Sequence, residues 1–230
     1  MSLFKKSEEN KNIKYIELNG SVSMPRTANE KLREEKRMKI LRNARTVFCR
    51  KGYLDVTMKD IIDECGISRG GIYLYFSSTA EIFQEIIVNR NNEKFSAVRK
   101  AVDNNEPFAL VLGDYIKLQK ERLSHMETSL LRAMYEYIFS KSEGATQEFR
   151  SSQLESLRNS VLYILTLGVR QGVLHNREKY DEKGIEIIAD HFVIVIEGLG
   201  VLALTKVLTD KIIDEQFAIL TDMIEEIKIL

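Results

Sequence analysis

Apolar positions recur every three to four residues over most of this chain, and short polar breaks separate the periodic stretches. That period marks amphipathic helices. Ile40, Leu41, Ala44, Val47 and Phe48 share one face of a helix expected from about Thr27 to Lys51, and Gly52 stops it. Ser78-Thr79-Ala80-Glu81 has the form of a capping box and opens a helix with Ile82, Phe83, Ile86 and Ile87 on one side. That helix is expected to reach about Val102, where Asp103-Asn104-Asn105-Glu106-Pro107 ends it. Further helices are expected over roughly 107–123, 127–141, 147–171, 181–208 and 214–229, with breaks at Gly144, Gly172 and Thr209-Asp210. No segment alternates in the manner of a strand. The expected fold class is all-α.

Between the first two long helices, Thr57 to Phe76 reads TMKDIIDECGISRGGIYLYF. Thr57 can cap a short helix, with Asp60 as a shorter version of the reciprocal partner. Ile61, Ile62 and Cys65 give that helix an apolar face, and Gly66 offers the left-handed turn that ends it. Ser68 then caps a second helix that begins Arg69-Gly70-Gly71 and ends in Tyr73-Leu74-Tyr75-Phe76. Two helices joined this tightly form a helix–turn–helix, which presents its second helix to the DNA major groove.

Composition agrees with that reading. Only 2 prolines and 12 glycines interrupt 230 residues, and the length suffices for one large helical domain or two smaller ones. The balanced net charge conceals an asymmetry: Met24 to Phe95 carries 14 Lys+Arg against 10 Asp+Glu, whereas Ser96 to Leu230 carries 16 against 21. A basic N-terminal third joined to an acidic remainder suits a nucleic-acid module attached to a body that avoids DNA. Cys49 and Cys65 form no disulfide framework and suit a reducing cytoplasm. The first residues include Lys5 and Lys6 but no apolar run of a secretory signal. The expected domains are a polar tail over 1–26, a DNA-binding domain over 27–94 and a helical domain over 95–230.

The segment from Ile40 to Ile87 resembles the DNA-binding domain of the tetracycline-repressor (TetR) family. The matching residues are Ala44, Phe48 and Gly52, then Thr57 and Ile61, then Cys65-Gly66-Ile67-Ser68, Tyr73-x-Tyr75-Phe76, and Ser78 with Glu81. The resemblance covers about 50 residues with tight spacing; beyond them the agreement is in helical character alone. It implies a homodimeric transcriptional regulator, usually a repressor, bound to a duplex operator and released by a small molecule in the C-terminal domain. No cofactor is implied.

The residues expected to meet DNA are Thr57, Lys59, Ser68, Arg69, Gly70, Gly71, Tyr73, Leu74, Tyr75, Ser77 and Thr79. Thr57, at a helix N-terminus, offers a hydroxyl and free amides to a phosphate. Arg69 can present its fork to guanine O6 and N7, or hold a phosphate. Tyr73 and Tyr75 can reach the backbone or a thymine methyl, or pack between helices. Lys59 is a base or phosphate contact or a solvated lysine. Gly70 and Gly71 each cost roughly 1 kcal/mol in a helix relative to alanine, which is accounted for if the backbone approaches the groove floor. Many family members carry a lysine where this chain has Thr79, so Ser77 and Thr79 hydroxyls are the available substitutes. Arg26, Lys31, Arg33, Lys36 and Arg37 form a basic approach interleaved with Glu30, Glu34 and Glu35.

In the C-terminal body, HFVIVIEGLGVLAL is apolar nearly all round, which requires burial on all sides. Glu186, Asp190 and Glu197 interrupt it, so a membrane span is not expected. Together with the last helix it is expected to build a two-fold four-helix dimer interface, through Ile194, Gly198, Leu202, Phe217, Leu220 and Ile224; intramolecular core is the alternative. Tyr115, Met126, Met134, Tyr135, Phe139, Tyr163 and Phe192 are candidates for an apolar ligand pocket, with core packing as the alternative for each. The three histidines are too scattered for a metal site, and no phosphate-binding loop or nucleophile triad points to an enzyme. A DNA-binding dimer without a ligand, or an activator, is the remaining alternative.

Overall fold

The computed structural model describes residues 28–125, 129–140, 144–174, 184–205 and 207–225. The elements among them are all helices: α1 (Ala28–Lys51), α2 (Met58–Cys65), α3 (Arg69–Tyr73), α4 (Thr79–Asp103), α5 (Phe108–Ser124), α6 (Leu130–Phe139), α7 (Gln147–Arg170), α8 (Gly184–Leu204) and α9 (Asp210–Glu225). Contacts divide the chain into two compact units, residues 1–38 and 39–230. The described part of the first is the start of α1, whose Lys31, Leu32, Arg33 and Lys36 are exposed.

Within the second unit, Ile40, Leu41, Ala44, Val47 and Phe48 are buried on one face of α1, as their spacing predicts. Gly52 then takes a positive φ of 81° and turns the chain. Phe48 packs edge-on against Phe83 of α4 at 4.8 Å, and Tyr53 packs against Tyr137 of α6 at 4.7 Å. Phe83 and Tyr137 meet in turn at 5.2 Å, and Tyr137 meets Phe149 of α7 at 5.4 Å. This aromatic chain joins the helix–turn–helix region to the body. A polar bond runs beside it. The Glu136 carboxylate accepts the amides of Tyr53 at 2.6 Å and Leu54 at 3.1 Å, while Arg132 pairs with the same carboxylate at 2.7 Å.

The body is a bundle in which α7 packs on α4, α5 and α8, and α9 lies on α5 and α8. The turn after α4 is tied to the end of α7. Gln171 accepts the Phe108 amide at 2.9 Å and donates to the Glu106 carbonyl at 2.8 Å, and Arg170 donates to the Val102 carbonyl. Arg158 of α7 ties α8 through Asp190 at 2.5 Å and Glu186 at 3.4 Å.

Two expectations change here. α8 is long and apolar enough by length and composition to cross a membrane, despite its three acidic residues. It packs along one side, however, through Ile188, Ala189, Phe192, Val193, Ile196 and Leu199. It is therefore not buried all round in the single chain: Ile187, Ile194, Val201 and Leu202 are exposed. Conversely, Phe217, Leu220 and Ile224 of α9, expected at a dimer interface, are at most 1% exposed within one protomer. A three-four seam marks a buried face without saying whose side chains bury it. Here they belong to the same chain: Lys120 of α5 lies 5.8 Å above the Phe217 ring and pairs with Asp214 at 2.6 Å.

Replacing Glu136 by Ala leaves two loop amides without their acceptor and should lower stability by about 1–3 kcal/mol. Arg132→Ala removes only partly exposed ion pairs, with Glu136 and Asp55, each expected to contribute about 0–1 kcal/mol. Urea unfolding of the two variants against the parent chain measures the difference.

Candidate nucleic-acid interface

The helix–turn–helix is held by its caps. Thr57 Oγ1 accepts the Asp60 amide at 3.3 Å, and Asp60 Oδ2 accepts both the Thr57 amide at 2.8 Å and the Thr57 hydroxyl at 2.7 Å. Asp60 therefore completes the capping box despite being one methylene shorter than glutamate. Its second oxygen pairs with Lys51 Nζ at 2.6 Å, which fastens α2 to the end of α1. The Lys51 ammonium first, and the Thr57 hydroxyl and amide next, hold the Asp60 carboxyl well below the usual carboxylate range. Arg50 pairs with Glu64 at 3.0 Å and reinforces the same junction.

Gly66 has φ 61° and ψ 36°, the left-handed conformation the sequence requires. The Gly66 amide reaches the Asp63 carbonyl at 3.3 Å, and the Ile67 amide reaches the Ile62 carbonyl at 3.5 Å. These are the paired bonds of a Schellman turn. Ser68 Oγ then accepts the Gly71 amide at 3.1 Å and starts α3. Ile72 is buried under this helix and Phe76 just after it, so the opposite side faces outward. Regular helix ends at Tyr73, earlier than the expected run to Phe76. The Tyr75 and Phe76 amides both close on the Ile72 carbonyl, at 2.9 and 3.0 Å.

The outward side carries much of the predicted set. Arg69, Gly70, Tyr73 and Leu74 are exposed, Leu74 at 72%. The Arg69 guanidinium carbon lies 5.9 Å from the Tyr73 ring centroid, a cation–π distance that preorients the fork. Lys59 and Ser68 are exposed as well, and Gly71, Tyr75 and Thr79 are half-buried. A Cβ added at Gly70 would meet nothing within 4 Å, whereas one at Gly71 would press on Ser68 Oγ at 3.2 Å. Gly71 thus has a local reason in the cap, and Gly70 has none inside the chain.

Two predicted hydroxyls are committed locally. Thr57 donates to Asp60, as above, and Ser77 donates its hydroxyl and its amide to Glu81 Oε2, each at 2.7 Å. Glu81 was expected to close a box with Ser78. Ser78 Oγ does accept the Glu81 amide at 3.1 Å, but the carboxylate reaches one residue further back. Burial raises the thiols of Cys49 and Cys65 above their ordinary range, so neither is a ready thiolate.

The model of the bacterial regulatory proteins of the tetR family matches residues 40–86, which span this cap-held unit. The chain carries a TetR-family DNA-binding domain over these residues. It is 37% identical over 106 residues to the uncharacterised HTH-type transcriptional regulator YfiR of Bacillus subtilis, covering 46% of this chain and 51% of that protein. It is 25% identical over 145 residues to the regulator YerO of the same organism, covering 60% and 50%. The chain thus spans about half the length of these curated relatives. The crystal structure of a TetR-family transcriptional regulator from Agrobacterium tumefaciens superimposes with a TM-score of 0.63 at 21% identity, over 85% of this chain and 99% of that one. The TetR fold therefore extends beyond the matched domain into the helical body.

That body also carries the side chains predicted for a ligand. Tyr115, Met134, Tyr135 and Phe192 are buried, and Tyr163 is half-buried against Phe95 of α4 at 5.7 Å. Phe139 is corrected: it is 74% exposed at the end of α6, so it lines no interior. Met126 lies outside the described residues. An open groove of about 500 Å³ runs along the other face of α5, beside Gly113, Ile116, Lys120, Ser124 and Asp210, and includes none of the predicted residues. Sequence reasoning missed Glu136, Arg122 and Gln119, because charged and amide residues on helices ordinarily face solvent.

Two outcomes test this geometry. Gly70→Ala should leave the free protein as stable or up to about 1 kcal/mol more so, yet weaken duplex binding if the backbone meets the groove. Asp60 stabilises the fold fully above the unfolded carboxylate pKa of about 3.9 and loses that contribution as pH falls towards its depressed folded value. Asp60→Asn should consequently melt below the parent at neutral pH, with the gap closing in acid on a pH series of thermal melts.

Proposed function

We propose that this TetR-family chain acts as a ligand-responsive homodimeric repressor of transcription. The observation that carries the reading is the outward face of α3, where Arg69 is poised over Tyr73 beside an unobstructed Gly70. An arginine fork at that place suits guanine O6 and N7, a contact that discriminates by about 1–3 kcal/mol. Lys59, Tyr73, Tyr75 and the free amides at the start of α2 suit phosphates, which set register without reading sequence. Since Thr57 and Ser77 spend their hydroxyl protons within the chain, their part would fall to backbone amides or to a rearrangement on binding.

Dimerisation is supported by what α8 and α9 leave uncovered. Ile187, Ile194 and Leu202 of α8, with Gly198 between them, and Ile219 of α9 lie on exposed faces. Self-association would bury this apolar stripe in a two-fold four-helix contact. Two α3 helices would then meet successive major grooves about 34–36 Å apart on a palindromic operator. A small hydrophobic ligand in the body would release the operator by shifting α4 and α6, the helices tied to the reading head through Phe83, Glu136 and Tyr137. Full release requires several kcal/mol of preference for the released form. An activator is the second reading, favoured by 32% identity over 77 residues to the HTH-type transcriptional activator FasR of Mycolicibacterium smegmatis.

Selection from a random duplex library, followed by anisotropy titration, tests the proposal. A palindromic site should emerge, bound by two protomers, with steep weakening as salt rises. Arg69→Ala should cost about 1–3 kcal/mol and relax preference at one position in each half-site. Ile194→Glu should yield monomers that bind the site weakly. Unchanged sequence preference in Arg69→Ala, or a folded wild-type monomer that binds no duplex, contradicts the assignment.

A further inference from the structure

The buried face of α5 changes character along its length. Phe108, Val111, Leu112 and Tyr115 make an apolar wall, and one turn further the same side carries Gln119, Arg122 and Leu123. Gln119 is only 3% exposed and the Arg122 side chain 11%. Buried polar atoms are ordinarily hydrogen-bonded. Here Tyr115 Oη, Gln119 Oε1, and Nε and Nη2 of Arg122 are all buried without a hydrogen bond. Arg122 has one carboxylate nearby, Glu197 of α8, at 3.8 Å, and that group already accepts the Tyr135 hydroxyl at 2.9 Å.

The surplus charge extends to α4. Arg90 and Lys94 are four residues apart, hence on one side of that helix, and both are half-buried. Burial pulls the Lys94 ammonium down to about 7, with repulsion from Arg90, Arg122 and Arg45 adding to it. Burial likewise pulls Arg90 to about 10, with Arg122 and Arg45 next. These cations feel one another, and among the described residues no carboxylate pairs with Arg90 or Lys94. Arg122 thus has Glu197 as its carboxylate neighbour, and the repulsion felt at Arg90 and Lys94 comes in part from Arg122. A buried cation left without a partner is among the least favourable arrangements a fold can hold.

We propose that this cluster is the head-group site of the effector, and that the effector is an amphipathic organic anion. Its acidic group sits against Arg122, with Tyr115 and Gln119 completing the hydrogen bonds and Arg90 and Lys94 supplying field from α4. Its apolar body lies along Leu112, Val111 and Phe108. The assignment deepens the ligand-responsive reading and rests on it. It also supplies a route for the signal. An anion on Arg122 competes with Glu197, which frees the Glu197–Tyr135 bond. Tyr135 is followed directly on α6 by Glu136 and Tyr137, the two residues that hold the Tyr53 loop and the aromatic chain.

The test uses the full chain with alkyl probes below their micellar concentrations: octanoate, decanoate and decyl phosphate against decan-1-ol and decyltrimethylammonium. Calorimetric titration and thermal melts should show the anions binding and stabilising, at least about tenfold more tightly than the neutral and cationic probes. Arg122→Met should erase the preference for the anions. Lys94→Met should weaken anion binding with helical circular dichroism unchanged, and serves if Arg122→Met fails to fold. Equal affinity for the uncharged probe, no binding of any anion, or a charge preference that survives in both variants overturns the proposal. Operator release, read separately by anisotropy, keeps the two readings apart. Arg122-dependent anion binding without release upholds the site and removes ligand-responsive repression. Release by decan-1-ol alone upholds responsive regulation and removes the anion site.

Discussion

One carboxylate, on α6, receives the two amides that follow the first helix of the reading head. Glu136 accepts the amides of Tyr53 and Leu54 at the point where Gly52 has just turned the chain. Around this bond the rings of Phe48, Tyr53, Phe83, Tyr137 and Phe149 close a continuous contact from α1 to α7. An aromatic chain alone could slide, since dispersion has little direction. A charged acceptor with two donors cannot slide far before it loses both. The position of the Tyr53 loop on α6 is thus set by geometry that tolerates few alternatives.

The same segment of α6 has two neighbours of opposite kind. Tyr135 points inward to Glu197, which also lies 3.8 Å from Arg122, while Glu136 and Tyr137 serve the reading head. Three consecutive residues on a helix point in three directions about 100° apart, so one short helix touches both places without a long relay. α4 provides the second connection: Phe83 near its start belongs to the aromatic chain, and Arg90 and Lys94 lie about two and three turns on. A displacement of either helix reaches α3 through packed side chains and caps.

Legibility in the sequence followed the range of the interactions. Thr57, Asp60, Gly66, Ser68 and Ser78 were readable because a cap involves residues three or four apart, and the structure forms those caps where the pattern put them. The end of α3 was not readable: Tyr73-Leu74-Tyr75-Phe76 has helical spacing, but the close of the turn depends on burying Ile72 and Phe76 against other helices. Periodicity identified Phe217, Leu220 and Ile224 as a buried face and assigned it to the wrong partner, since a seam carries no mark of which chain covers it. Glu136, Gln119 and Arg122 were invisible for a related reason. Each sits among other charged or polar residues on an ordinary-looking helix, and only tertiary packing shows that it faces inward.

The body holds the reading head through the Glu136 bonds. Amide hydrogen exchange at Tyr53 and Leu54 measures this most directly, because both donors sit in a loop with no helical acceptor. Exchange slowed to the rate of the buried α4 amides, and accelerated at those two positions in Glu136→Gln, is the predicted result. Exchange at the rate of an open loop in the unmodified chain would contradict it.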